Sequence, residues 1–217
     1  MNHKLTDIAD VQLGYQHREK VSHAEHGSHR LIQGKDVLWQ DTQVGERNKP
    51  IGWLVSVQHL DRVTPKGDAE RYRLQPGDVL FVSRGTTNIA VPLNEQTVQP
   101  FPEDWNEIIP AYTFYILRPD RSRIVPEYLA WYINQPIAQA YLTQQSRGTL
   151  VKLLPKSIFE ELEVPVPSLA LQRQVMELEY LRAREEGLLQ RLIAARQRLV
   201  QHACLSAVST QSNQHPV

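Results

Sequence analysis

One long stretch without a helix breaker constrains the fold of this 217-residue chain more than any other feature of its sequence. Residues 169–205 contain neither a proline nor a cluster of turn-forming residues. Such a stretch predicts a single helix of about 55 Å, because an α-helix rises about 1.5 Å per residue. The preceding Val164-Pro165-Val166-Pro167 segment favours an extended backbone, and Ser168 offers a typical N-cap hydroxyl. The helix should therefore begin directly after Ser168.

Apolar residues recur along this stretch at intervals of mainly three and four, which is typical of a helix with one apolar face. These residues, which we call the seam, are Leu171, Val175, Leu178, Leu181, Leu188, Leu192 and Leu199. A preceding domain of about 165 residues has a radius of gyration of only about 15 Å, so it cannot cover the whole helix. We expect the seam to pack on a partner helix; the alternative is a hairpin folded back on its own domain.

The chain before the long helix predicts an α+β domain of short elements, mostly strands. Apolar runs that predict strands lie at residues 8–13, 53–58, 78–83 and 113–117. Turn signals such as Pro76-Gly77-Asp78 separate them. Helices are predicted at residues 127–134, 137–144 and 156–161, and the first two follow prolines that suit a first helical turn. We expect a domain over residues 1–167, a helix over 168–207 and a frayed tail over 208–217.

Composition and charge exclude several classes of protein. The 24 basic residues balance the 24 acidic ones, so a uniformly basic surface is excluded and any nucleic-acid contact needs a local patch. Cys204 is the single cysteine, which excludes an intrachain disulfide and a cysteine-built metal site. No apolar run approaches the roughly 18 residues that span a bilayer, and the N-terminus lacks the apolar core of a signal peptide. We expect a cytoplasmic protein without membrane contact.

The sequence lacks the motifs of common catalytic and cofactor sites. It has no Gly-x-Gly-x-x-Gly, phosphate loop, His-Glu-x-x-His or Gly-x-Ser-x-Gly. The aromatic-flanked Asn/Asp-Pro-Pro with which amino-methylating enzymes bind their target base is also missing. His23, His26 and His29 are three residues apart, which on a helix would allow a zinc site. Gly27 and Ser28 interrupt that run, so a solvated loop is favoured, and we predict no catalytic residue, cofactor or metal.

Cationic residues recur at turns beside glycine and small polar residues. Cations neutralise phosphates, hydroxyls and amides bond base edges, and glycine lets a backbone approach closely, so these turns are candidate nucleic-acid contacts. The candidates are Arg18, Lys20, His29, Arg30, Lys35, Arg84, Thr86, Thr87, Asn88, Arg147 and Lys152. We expect the arginines and lysines to share one concave face, with residues 84 and 86–88 contacting base edges. Each turn taken alone is more typical of a solvated loop.

The order of several sequence blocks resembles one half of the specificity (S) subunit of type I restriction–modification systems. The most telling block is Leu-Gln-Pro-Gly-Asp-Val-Leu-Phe-Val-Ser-Arg-Gly at residues 74–85, and the others are residues 5–14, 31–37, 124–134, 146–149 and 162–175. The resemblance implies a target recognition domain with an irregular, partly β-helix-like sheet, followed by a spacer helix. It also implies sequence-specific binding of double-stranded DNA. Methyl transfer would belong to a separate modification (methyltransferase) subunit, and cleavage to a restriction subunit as a further partner.

The resemblance covers only one half of such a subunit. A full-length S subunit carries two recognition domains and two spacer helices that pair as an antiparallel coiled coil, whereas this chain carries one of each. The chain is therefore either a half-subunit that forms a homodimer or a fragment of a longer subunit. Two other hypotheses remain open: a stand-alone enzyme that modifies or cleaves DNA, and a coiled-coil scaffold without DNA binding.

Overall fold

The computed structural model describes residues 1–16, 27–40, 52–85, 88–146 and 152–212. These residues divide into two units. The first comprises Met1–Trp39 and Trp53–Glu177, and the second contains the long C-terminal helix from Leu178 onward. Among the helices that the structure describes, none is both long and apolar enough to cross a membrane.

Short strands and helices alternate along the chain. The strands are β1 (Asn2–Lys4), β2 (Ala9–Leu13), β3 (His29–Ile32), β4 (Val37–Gln40), β5 (Gly52–Ser56), β6 (Asp61–Val63), β7 (Val79–Val82), β8 (Arg84–Gly85), β9 (Ala90–Pro92), β10 (Val98–Gln99), β11 (Ile108–Pro110), β12 (Phe114–Pro119), β13 (Lys152–Leu153) and β14 (Glu163–Pro165). The α-helices are α1 (Pro126–Ile133), α2 (Pro136–Gln145), α3 (Lys156–Glu160) and α4 (Leu169–Ser212), and short 3₁₀ helices cover Leu5–Asp7, Gly34–Asp36 and Glu70–Tyr72. The predicted α+β class and all four predicted helices are confirmed.

A four-stranded antiparallel sheet forms the centre of the first unit, with strand order β2-β12-β7-β9. Strand β12 directs its side chains alternately to two hydrophobic clusters. Tyr115 and Leu117 belong to one cluster, and Phe114 and Ile116 belong to the other. A sheet buried on both faces needs apolar residues at consecutive positions. The predicted strands in β7 and β12 are such runs, and the structure confirms them.

The first cluster joins one face of this sheet to the helices α1, α2 and α3. Its centre is an aromatic stack in which the Phe159 ring lies 4.1 Å from the Phe81 ring and 5.6 Å from the Tyr115 ring, measured between centroids. The Tyr115 hydroxyl donates a 2.7 Å hydrogen bond to the carbonyl of Leu154, so the buried polar atom has a partner. Val175 of α4 is partly buried against the same cluster.

The second cluster joins the opposite face to strands of two three-stranded sheets, β10-β5-β4 and β11-β3-β6. Both sheets contain a parallel pair, β10 with β5 and β11 with β3. Among these strands, only β5 was predicted from the sequence. The others have two to four residues each, which is too short for the alternation of apolar and polar residues that identifies a strand.

The predicted Pro76-Gly77-Asp78 turn leads into β7, and its aspartate is buried. Gly77 has φ +89°, and a side chain at this position would also collide with the guanidinium of Arg121. The Asp78 carboxylate accepts a 2.9 Å hydrogen bond from the Gln75 amide, and only 4% of the residue is exposed. Burial raises the pKa of Asp78 to about 6, although nearby Arg118 and Arg121 oppose this shift.

The first turn of α4 is fixed to the domain by one buried glutamine. The Ser168 hydroxyl accepts a hydrogen bond from the Leu171 amide at 3.3 Å, which confirms the predicted N-cap. The fully buried Gln172 accepts a 2.8 Å bond from the Val125 amide. Its Nε2 donates to the carbonyls of Arg123 at 2.9 Å and Pro167 at 2.8 Å. One side chain thus joins the helix, the turn before α1 and the extended segment after β14.

Helix α4 is longer than predicted. It continues to Ser212, beyond the predicted end at residue 207, so residues 208–212 are helical and do not belong to a frayed tail. The physical reason is that residues 188–212 contain neither glycine nor proline, so no helix breaker ends the helix near residue 207. Its 44 residues correspond to a length of about 66 Å.

The buried carboxyl of Asp78 predicts a specific pH dependence of stability. Its pKa is about 6 in the folded chain and about 4 in an unfolded chain. Its contribution to stability is therefore greatest below about pH 4 and is lost as the pH rises through 6, by up to about 3 kcal/mol. Asp78→Asn keeps an oxygen for the Gln75 amide but cannot ionise. In urea denaturation, the free energy of unfolding of the variant should rise relative to that of the wild type between about pH 4 and pH 7. A difference between the two free energies that does not change with pH would contradict this account.

Candidate nucleic-acid interface

Three segments of the chain meet at the start of β8 and are held together by main-chain hydrogen bonds. The amide and hydroxyl of Ser83 donate to the carbonyl of Thr113 at 2.9 and 3.0 Å. The amide of Leu154 donates to the carbonyl of Ser83 at 3.0 Å. Strand β8 pairs with β13, with Arg84 opposite Leu153. These bonds fix the backbone on which exposed side chains are carried.

The side chains of Arg84, Tyr112 and Leu153, which we call the Arg84 platform, combine a cation with exposed apolar groups. The guanidinium carbon of Arg84 lies 5.8 Å from the centroid of the Tyr112 ring, a distance that allows a cation–π interaction. Leu153 is the cross-strand partner of Arg84, so the two side chains lie on the same face of the ladder. Tyr112 is 38% and Leu153 44% exposed.

This arrangement has the chemistry of a base-reading surface. Among the described residues, no carboxylate forms an ion pair with Arg84. No carboxylate among these residues therefore balances the positive charge of its guanidinium. The N–H donors can form two hydrogen bonds to one guanine, the commonest specific contact of arginine with DNA. The neighbouring ring and aliphatic side chain can contact apolar parts of the bases. Arg84 was predicted from the sequence, but Tyr112 and Leu153 were not, because the pairing that brings residue 153 beside residue 84 is long-range.

Asn88 is close to the platform in the sequence, but its side chain is bonded inside the domain. It is buried, and its Nδ2 donates a 2.8 Å bond to the carbonyl of Val82. Its Oδ1 accepts a 3.3 Å bond from the Ser146 hydroxyl. Both ends of the amide thus hold the fold together. We therefore remove Asn88 from the candidate base contacts.

The candidates at β3 and the following turn have partners within the domain. Arg30 donates a 2.5 Å hydrogen bond to the carbonyl of Val57 and forms no ion pair with a carboxylate in the described part of the chain. Lys35 forms a 2.7 Å ion pair with Asp61. The pair raises the pKa of the lysine, and the negative carboxylate offsets the positive charge of the ammonium group. Nδ1 of His29 lies 3.0 Å from the hydroxyl of Ser28. Of these three, Arg30 is the better candidate for a phosphate contact.

Several candidates lie outside the described residues, so the predicted grouping of the cations on one face stays a prediction. They are Arg18, Lys20, Thr86, Thr87 and Arg147, together with His23 and His26 of the histidine run. The backbone of Lys152 lies in β13, opposite Gly85. Within the described ranges, no group of three or more histidine, cysteine, aspartate or glutamate side chains is placed to hold a metal ion.

The members of the seam differ in their surroundings. Val175 packs against the first cluster of its own domain, whereas Leu171 is 47% exposed. From Leu178 onward the large apolar residues of α4 are at least half exposed, and those of the seam are Leu178, Leu181, Leu188, Leu192 and Leu199. Leu189, Ile193 and Val200 widen this apolar surface. We therefore leave Val175 out of the candidate contact between helices.

No protein-family model and no curated protein matches this sequence. Solved structures do match. An S subunit of a type I restriction–modification system from M. genitalium has TM-score 0.49 and 8% identity, with 82% of this chain and 37% of that chain covered. The HsdS subunit from Thermoanaerobacter tengcongensis has TM-score 0.54 and 16% identity, with 87% and 38% covered.

A third solved chain comes from work on the complex assembly and conformational transition of the type I R-M system. It has TM-score 0.55 and 15% identity, and the match covers 96% of this chain and 44% of that one. This chain thus spans less than half the length of the structures that it matches. On the two matches with the higher TM-scores, the chain has the fold of part of a type I restriction–modification S (HsdS) subunit.

Proposed function

We propose that this chain is a non-catalytic specificity subunit that binds a defined DNA sequence and directs a partner adenine methyltransferase to it. A restriction subunit would be a further partner of the same complex. The observation that carries the proposal is the shared fold, which covers 96% of this chain but only 44% of the matched R-M chain. In this proposal residues 1–167 form the recognition domain and residues 168–207 the spacer helix.

The Arg84 platform supports a role in reading DNA. Arg84 is exposed on a backbone that hydrogen bonds fix to two other segments. Binding of DNA by its guanidinium therefore costs little backbone entropy. The Arg30 guanidinium is hydrogen-bonded to a carbonyl and not to a carboxylate, so its positive charge can interact with a DNA phosphate. Phosphate contacts position a protein on DNA and base contacts specify the sequence, so the two arginines would have different roles.

The exposed seam of α4 supports a homodimer. Leucines at least half exposed are normally buried when helices of this periodicity pair. A second copy in antiparallel orientation would supply the same seam, and would mimic the two spacer helices that the family resemblance implies for a full-length subunit. Such a pair has two-fold symmetry, in which each surface contacts its own copy.

A dimer of identical chains has a consequence for the target. Two identical recognition domains related by a two-fold axis bind DNA alike only if that axis coincides with one in the DNA. The site should therefore be a palindrome split by an unread gap. Helices of about 66 Å, partly overlapped, would separate the recognition domains by more than one DNA turn of about 34 Å.

Two alternatives would give other results. A stand-alone nuclease or methylase would act on DNA without a partner, and the absence of the common cofactor and catalytic motifs from the sequence supports the non-catalytic role instead. A coiled-coil scaffold would show no affinity for DNA. The purified chain, tested for binding, cleavage and methylation of random duplexes at low salt, separates the three hypotheses.

The role proposed for Arg84 predicts a loss of sequence selectivity. Selection of bound duplexes from a random pool should yield a defined half-site with the wild type. With Arg84→Ala the preference for one guanine should disappear, at a cost of about 1–3 kcal/mol in discrimination. Arg71→Ala is the matched control, since it removes the same charge near the opposite end of β12, where the Arg71 carbonyl accepts a bond from Arg118. Unchanged selectivity of Arg84→Ala would contradict the assignment.

The role proposed for the seam predicts that two leucines hold the dimer together. Each buried leucine truncated to alanine costs about 2–5 kcal/mol, so Leu188→Ala combined with Leu192→Ala should give monomers in sedimentation at tens of micromolar. Gln197→Ala with Gln201→Ala changes two exposed residues of the same helix at the same spacing and should leave the dimer intact. A wild-type chain that sediments as a monomer would contradict the homodimer.

A further inference from the structure

We infer that Tyr112 and Leu153 form an apolar contact for the C5-methyl group of a thymine adjacent to the guanine that Arg84 binds. This inference rests on the proposed function and names the base step that the Arg84 platform would read. The motivating observation is that two exposed apolar side chains flank an arginine that forms no ion pair with a carboxylate among the described residues.

The spacing of the three side chains suits neighbouring base pairs. Arg84 and Leu153 are direct cross-strand partners, and the Cβ atoms of such partners lie about 4.5–5.5 Å apart. Successive bases along one DNA strand are about 3.4 Å apart. The two side chains therefore start close enough together to contact neighbouring bases. The Tyr112 ring, 5.8 Å from the guanidinium carbon, extends the apolar part of the surface.

The exposure of these side chains is not a result of loose packing nearby. Leu154, the residue after Leu153, is fully buried, and its carbonyl accepts the bond from the Tyr115 hydroxyl. Phe114, two residues after Tyr112, is also fully buried. The backbone is thus held on both segments, and Leu153 and Tyr112 are presented outward from ordered positions.

The base edges of DNA offer one apolar group that such a surface can recognise. In the major groove the distinguishing groups are hydrogen-bond donors and acceptors, apart from the C5-methyl of thymine. A leucine or an aromatic ring beside a forked arginine therefore matches a guanine next to a thymine. A protein partner could also cover an exposed apolar pair, but the charge of Arg84, without a carboxylate partner among the described residues, favours an anionic ligand such as DNA.

Replacing thymine by deoxyuridine, which lacks only the C5-methyl, tests the inference. In the half-site selected by the wild-type chain, each thymine is replaced in turn and the affinity of each duplex is measured. One replacement, at the thymine adjacent to the guanine lost from the preference of Arg84→Ala, should weaken binding about fourfold, the effect of one buried methyl-sized group. Replacements at other positions should have no comparable effect.

The Leu153→Ala variant connects this effect to the side chain. It should discriminate between the thymine and deoxyuridine duplexes less than the wild type does, because only Tyr112 remains to contact the methyl group, while keeping the preference for guanine. Leu153→Met, which retains an apolar contact, should preserve the difference. Thermal unfolding of each variant shows that the fold is retained, and the wild-type measurement with deoxyuridine stands even if a variant fails to fold.

Other outcomes of these measurements would overturn either the inference or the proposed function. A half-site without a thymine beside that guanine, or a wild type indifferent to every deoxyuridine replacement, overturns the inference and leaves the proposed function intact. Equal weakening of all sequences by Leu153→Ala also overturns it, because the contact would not be to a methyl group. Absence of any sequence-selective DNA binding overturns the proposed function itself.

Discussion

The first unit depends on strand β12, because it is hydrogen-bonded on both edges and buried on both faces. It pairs with β2 and β7, and its alternate side chains enter two separate hydrophobic clusters. The three short helices pack on one cluster and the irregular three-stranded sheets on the other. A polar residue at Phe114, Tyr115, Ile116 or Leu117 would therefore disturb one of the two layers. The strand leaves the core only at its ends.

The two ends of this strand have different chemistry. Before its first residue lie Tyr112 and Thr113, whose exposed ring and main-chain carbonyl help to build the Arg84 platform. At its other end, Arg118 donates to the carbonyls of Arg71 and Arg73 and lies near the buried Asp78. One end thus carries an exposed cation beside exposed apolar groups, while Arg118 at the other end is bonded to the protein's own backbone. The candidate site therefore lies next to the start of β12, to which the carbonyl of Thr113 joins it.

The sequence predicted the elements whose signals are local. The continuous apolar runs of β7 and β12, the prolines at the start of α1 and α2, and the Ser168 cap of α4 are properties of neighbouring residues. The strands of the two small sheets were missed because they are short and depend on partners distant in the chain. The candidate site was predicted in part for the same reason. Arg84 is recognisable in the sequence as a cation after an apolar strand, whereas Leu153 becomes its neighbour only through long-range pairing. The hydrogen bond between Asn88 and Ser146 is likewise long-range.

The central claim is that two copies of this recognition domain direct a methyltransferase to a symmetric DNA site. The most direct test is a map of methylated adenines in cells that express the chain with its methyltransferase partner, compared with cells that lack the chain. The account predicts a chain-dependent motif that is a palindrome with an unread gap, with half-site centres at least about 34 Å apart, one DNA turn. An asymmetric two-part motif assigned to this chain alone, or methylation that does not depend on the chain, would contradict it.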